Sequence, residues 1–405
     1  MLGKDAHRVV ATLKDVSSSQ PLLGCGTCAD RQICGGLHLQ DTGALVVSCM
    51  SHCTCDDPST CDLVCPTNAQ TFTRRFHEVD GWDLNNIPST RDVPMPALPS
   101  WVPLYQGNLS GRRPIAEEGV VALPLTLALR GTGPATHART DKELSRSYGV
   151  RPQGGWVLSG TEDDPAVERI WGLPDINRIA RQLARSGAIF ATTPNFSLVN
   201  DSPRHDNLHA MKRIAWTWHH MTQGGLCTAL HLNGRTDHDF VRWAEFVRAR
   251  PQVKAVAFEF LTGTATKASA QLYLQRLARF SQACGRRLPI VIRGQAALSD
   301  QLLEHFSQVI KLDSTPYMRS TKRRKAVVRS NGTLSHVAVP TTSPRQLRSM
   351  LEHNVKVHRA RAEGNLKPER ESPQGVLDLR FMPTQLDADN EPTQMSLFSD
   401  ERIGI

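Results

Sequence analysis

From residue 101 to residue 312 the chain repeats one pattern: a short apolar run, then a stretch with helical period. The runs fall at 101–105, 120–129, 156–159, 188–191, 226–232, 255–261, 289–292 and 309–312. Runs this short, apolar at nearly every position, suit strands buried on both faces. Helical patterns lie at 165–186, 206–222, 237–250, 267–284 and 299–307, and a last one at about 343–363 follows a basic connection. Such alternation argues for a parallel sheet. Eight strands over about 220 residues fit a (β/α)8-like parallel barrel of the α/β class, with 107–118 forming a loop where the first helix would stand. An open, doubly wound sheet is the alternative. No G-x-G-x-x-G follows a strand, no Walker A sequence occurs, and Gly131-Thr132-Gly133 is too short to cradle a phosphate.

The 405 residues exceed one ordinary domain and suit a barrel with appendages. Eight of the ten cysteines crowd into residues 25–65, as Cys25, Cys28, Cys34, Cys49, Cys53, Cys55, Cys61 and Cys65. The start, Met1-Leu2-Gly3-Lys4-Asp5, shows no secretory leader, so a reducing cytoplasm is the expected compartment and disulfides are disfavoured. Thiolates this dense repel one another unless a cation neutralises them, which points to metal. Cys65-Pro66 ends the run as ferredoxin-type runs end, and only Cys25/Cys28 has the spacing usual in zinc modules. An Fe–S cluster, [4Fe–4S] by preference, is therefore expected ahead of zinc. The reading divides the chain into a Cys-rich metal module (1–67), a linker or wrapping arm (68–100), the barrel (101–363) and a disordered tail (364–405). No run of 18 apolar residues is present, so no membrane span is expected.

Active groups of parallel barrels come from the loops after the strands. That rule selects Asn195 after the fourth strand, Arg235 after the fifth, Glu259 in the sixth, Arg293 at the end of the seventh and Asp313 at the end of the eighth. Arg235 and Arg293 could clamp a phosphate or carboxylate. Glu259 and Asp313 could act as acid, base or nucleophile. Glu259 stands between Phe258 and Phe260 and must face opposite to them, into a polar interior or towards a cation such as Arg293. His205 and His209 share a helical face as in zinc metalloproteases, but Asp206 stands where Glu is required.

Several stretches resemble known families. Pro194-Asn195-Phe196-Ser197 with Asp201-Ser202-Pro203 resembles a strand end in an uncharacterised, Cys-rich bacterial and phage family with a TIM-barrel-like domain, in which an acid replaces Asn195. Cys25-Gly26-Thr27-Cys28 with Ile33-Cys34-Gly35-Gly36 is similar to the auxiliary-cluster segment of radical-SAM maturases. Cys49-x3-Cys53-x-Cys55 departs by one residue from the radical-SAM spacing. Barrels of the tRNA-guanine transglycosylase type offer an architectural analogy alone. In the tail, Gln394-Met395-Ser396-Leu397-Phe398 resembles the bacterial sliding-clamp-binding peptide. There the resemblance implies that Leu397 and Phe398 enter an apolar pocket while Gln394 bonds at its rim.

A net charge of +9, with the run Lys322-Arg323-Arg324-Lys325, favours an anionic partner such as nucleic acid. The expectation is a metal-cluster barrel protein of phage, mobile-element or defence origin. It would act on DNA or a nucleic-acid component and be recruited to the sliding clamp. A non-catalytic DNA- or protein-binding factor and a radical-SAM-like enzyme are the alternatives.

Overall fold

The computed structural model describes residues 75–107, 115–117, 119–198, 204–261, 267–294 and 298–366. The eight cysteines of the N-terminal module and the clamp-like peptide lie outside these residues.

Eight parallel strands form one sheet: β1 (Trp101–Pro103), β2 (Val121–Pro124), β3 (Trp156–Ser159), β4 (Ala188–Thr192), β5 (Thr228–His231), β6 (Val256–Phe260), β7 (Pro289–Gly294) and β8 (Gln308–Asp313). Their spatial order follows the chain, with β8 returning to pair with β1. A single bridge between Leu104, just past β1, and Ala122 of β2 brings the two ends of the sheet together, so the barrel is nearly closed. All eight expected strands are present, so the barrel reading holds and the open-sheet alternative falls.

The barrel interior is filled by modest side chains, among them Val102, Ala122, Val157, Ala229, Ala257, Val291 and Ile310, with Phe190 as the largest. Their neighbours in sequence, such as Val256, Phe258, Ile290 and Ile292, turn outward under the helices. This two-residue alternation explains why the strands read as continuously apolar: each has two dry faces.

The outer layer contains α1 (Asp141–Tyr148), α2 (Asp164–Trp171), α3 (Ile176–Arg185), α4 (Arg204–Gln223), α5 (Asp237–Arg248), α6 (Lys267–Cys284) and the short α7 (Ser299–Leu303). It continues through α8 (Thr315–Thr321) and α9 (Pro344–Ala362). Sequence periodicity predicts one helix at 165–186, but the structure breaks it into α2 and α3. Gly172 closes α2, Pro174 cannot continue the ladder, and the Asp175 carboxylate accepts from Arg178 N at 2.8 Å to start α3. The basic connection contains a hairpin, β9 (Arg324–Val328) and β10 (Leu334–Ala338). Gly332 at φ +77° supplies its turn, a left-handed conformation that favours glycine.

Residues 75–100 are a wrapping arm. Val79, Trp82, Leu84 and Ile87 are all at most 4% exposed. Three buried cations, from α4, α5 and the turn after α5, reach out to the arm's backbone. Arg242 donates to Trp82 O at 2.5 Å, Arg250 donates to Ile87 O at 2.6 Å, and Lys212 donates to Asp83 O. Burial pulls the Lys212 ammonium down to about 8. Carbonyls satisfied this way lie against helices without an unpaired backbone acceptor.

Candidate active site

The parity of β6 and β7 decides what the mouth contains. Phe258 and Phe260 face the helices, so Glu259 faces the axis; Ile290 and Ile292 do likewise, so Arg293 faces the axis too. The strand register places the two side by side. Glu162, three residues beyond the end of β3, lines the same two cavities as Glu259. One cavity has a volume of about 350 Å³ and includes Asn195, Asn233 and Arg235; the other, of about 430 Å³, includes Arg293.

A polar chain fixes these groups. Asn195 Nδ2 donates to Glu259 Oε2 at 2.9 Å, and Asn233 Nδ2 donates to Asn195 Oδ1 at 2.9 Å. Glu162 accepts from Thr126 N at 2.8 Å and from the Thr126 hydroxyl. Arg293 donates to the carbonyl of Thr161. Arg235 stands at the rim, donating to the Tyr273 hydroxyl at 3.1 Å. His231 lies deeper and is fully enclosed. Its Nδ1–H donates to Thr193 O at 2.6 Å, which leaves Nε2 to accept from the Thr161 hydroxyl at 3.2 Å. Burial drives this imidazole down to about 4, so it is neutral at ordinary pH.

Burial raises both carboxyls above the usual carboxylate range, against the pull of Arg293 on each. Burial also lowers the Arg293 guanidinium from its usual value, opposed by Glu259 and Glu162. Two carboxyls that hold protons more tightly than normal, sharing one cation, are suited to exchanging protons with a bound molecule.

Neither family models nor curated proteins match this chain.

Four of the five residues selected from sequence meet at the mouth: Asn195, Arg235, Glu259 and Arg293. Asp313 does not. Leu312 faces the interior, so Asp313 turns outward beneath α9. There it accepts from Trp101 Nε1 at 3.0 Å, Lys311 Nζ at 3.1 Å and Thr315 N at 3.0 Å, with His358 Nδ1 at 3.7 Å. Although burial opposes it, these partners hold its carboxyl far below the usual range. The strand-end rule finds Asn233 together with Arg235 after the fifth strand, but misses Glu162 and His231. Glu162 sits beyond the strand in a polar loop, but His231 carries a legible signal: it follows Ala229 at the spacing of interior positions. His209 of α4 is engaged by Glu78 of the arm at 3.0 Å, and burial lowers it to about 4. Among the described residues no group of three or more His, Cys, Asp or Glu is arranged to hold a metal ion.

Glycine sets the spacing of the loops. A Cβ on Gly160 would meet the Thr193 carbonyl and Pro194 N, while Gly160 N donates to Thr192 Oγ1 at 2.8 Å and Asn195 N donates to Gly160 O at 3.0 Å. Gly160→Ala is expected to force the Glu162 and Asn195 loops apart, at a cost of about 1–3 kcal/mol in urea unfolding. Wild-type stability in that variant would mean the two loops are not locked together.

Arg293→Met should produce a pH-dependent defect. Carboxyls with raised folded values favour the native state below their unfolded values, and this benefit is lost as pH rises through the folded ones. Removing the cation enlarges that loss. The variant should therefore be destabilised more at pH 8 than at pH 5, by about 1–3 kcal/mol. An equal defect at both pH values would show that Arg293 does not support the carboxylates.

Proposed function

We propose that the chain is an enzyme of nucleic-acid chemistry, with Glu259 and Glu162 moving protons around Arg293 on DNA or a nucleic-acid component. One observation carries this reading: two half-buried carboxyls, both above their usual range, stand by one guanidinium at the end of the barrel where such enzymes work. Asn195 orients Glu259, and Arg235 is placed to meet an anionic group at the rim. A space of about 350 Å³ suits a single base or nucleoside, presented free or turned out of its strand. The basic balance of the chain and the clamp-like tail support a polymer target. The eight cysteines at 25–65 would hold a metal centre, an Fe–S cluster ahead of zinc, whose charge their thiolates would neutralise. Gln394, Met395, Ser396, Leu397 and Phe398 would recruit the protein to the sliding clamp.

The test begins with protein purified without air and assayed for iron, sulfide and zinc. It is then incubated with DNA, RNA and free nucleosides, and the products are digested to nucleosides for mass spectrometry. A new nucleoside or a released base is expected. Metal-loaded, folded protein that changes none of these substrates would end the enzymatic reading and leave the binding-factor alternative. Cleavage of S-adenosylmethionine by the reduced protein would instead favour the radical-SAM alternative.

A further inference from the structure

The eighth strand does not pass directly to its outer helix. Between β8 and α9 the chain inserts α8 and the β9–β10 hairpin. Segments that follow barrel strands lie at the strands' C-terminal end, which here is the mouth. Tyr317 of α8 is packed there, its ring 6.2 Å from that of Tyr105 in the loop after β1.

This insertion is the most one-sided part of the chain in charge. Between Asp313 and Glu352 there are eight lysines and arginines and no carboxylate, against a net charge of +9 for the whole protein. Arg319, Lys322, Arg323, Arg324 and Arg329 are exposed, and Lys325 is half-buried.

The hairpin has a dry face and a wet one. Ala326 (0% exposed) and Val328 (6%) are buried, and Ala326 N donates to Asn354 Oδ1 of α9 at 2.7 Å. The register pairs Lys325 with Val337 and Val327 with Ser335 on the opposite face. Val337 is 45% exposed. The wet face thus carries Val327 and Val337 with the cations Lys325 and Arg329 beside them. Protecting a free strand edge from aggregation takes a lysine or two. It does not require the exclusion of every acid from α8, the turn and both strands.

A two-stranded ribbon fits the major groove of B-form DNA, about 12 Å wide, but not the deep, narrow one of A-form RNA. We propose that α8 and the β9–β10 hairpin form a docking surface for duplex DNA. The cations bind phosphates, and the face carrying Lys325, Val327 and Val337 enters the major groove. This rests on the nucleic-acid half of the function proposed above and needs nothing of the chemistry at Glu259.

The experiment measures binding of the full chain to a short labelled DNA duplex, and to an RNA duplex of the same sequence, over a series of salt concentrations. The combined variant Lys322→Ala, Arg324→Ala, Lys325→Ala, Arg329→Ala should bind DNA at least about tenfold more weakly. The slope of log affinity against log salt should become shallower by about one for each phosphate that is no longer neutralised. A control of equal charge loss, Lys142→Ala, Arg181→Ala, Arg185→Ala, Arg248→Ala, removes exposed cations of other helices and should stay within about twofold of wild type. Should the combined variant fold poorly, Lys325→Glu alone must still weaken binding several-fold. Equal weakening by the control, tighter binding of RNA, or unchanged binding in Lys325→Glu overturns the proposal. Binding that survives while no nucleoside is altered sinks the catalytic reading alone.

Discussion

Glu259→Gln is expected to reduce turnover of the nucleic-acid substrate by about 10²–10⁴-fold while leaving the protein at least as stable as wild type at pH 7–8. The amide keeps an oxygen for Asn195, which donates to Glu259 Oε2 at 2.9 Å, so the polar chain across the mouth can survive. What disappears is the exchangeable proton. Stability should move the other way. Burial raises the Glu259 carboxyl, so its ionisation works against the folded state as pH climbs past the ordinary carboxylate value of 4.5. A neutral amide has no such cost. Unfolding curves for both proteins at several pH values, set beside turnover, separate the roles. A variant that is inactive because it is unfolded, or fully active though folded, would remove Glu259 from the chemistry.

Asp313→Ala should have the opposite profile: a large loss of stability, about 3–5 kcal/mol, from a residue outside the mouth. The substitution strips partners from Trp101, Lys311 and Thr315 N at once, and leaves the Lys311 ammonium without its carboxylate. In wild type the depressed Asp313 carboxyl stabilises the fold above the ordinary aspartate range, and this contribution falls away as the pH drops below it. The variant should therefore show a flatter acid limb in its stability profile. The effect extends to the hairpin, because His358 faces Asp313 on one side and meets His336 of β10 at 3.1 Å on the other. Burial, then His358 and the cations Arg319, Arg324 and Arg361, lower His336 to about 4, so it meets His358 as a neutral ring. Thermal unfolding at pH 7 and at acid pH is the measurement. A loss of less than about 1 kcal/mol would make Asp313 an ordinary surface carboxylate.

The barrel was legible because parallel strands with two dry faces leave an unmistakable apolar rhythm, and every run found in the sequence became a strand. The hairpin was not, since its cations masked the alternation of Ala326 and Val328 with outward neighbours. The turn at Asn331-Gly332 was the signal available. The candidate site divides along the same line. Strand parity placed Glu259 correctly because its neighbours are aromatic. Applied to β8 it would have turned Asp313 outward, since Ile310 and Leu312 are the interior positions. Glu162 escaped because no periodicity reaches past the end of β3. The arm's attachments were hidden for a different reason: Arg242, Arg250 and Lys212 look like solvent-facing helix residues until the segment they hold is seen.

That arm has a practical bearing on how the protein can be divided. A fragment cut at residue 101, where the sequence pattern changes, would uncover the seat of Trp82, Leu84 and Ile87. It would also strip Lys212, Arg242 and Arg250, at 0, 5 and 6% exposure in the intact chain, of the backbone carbonyls they hold. Such a truncation should aggregate on expression. One beginning at residue 75 retains these contacts of the arm.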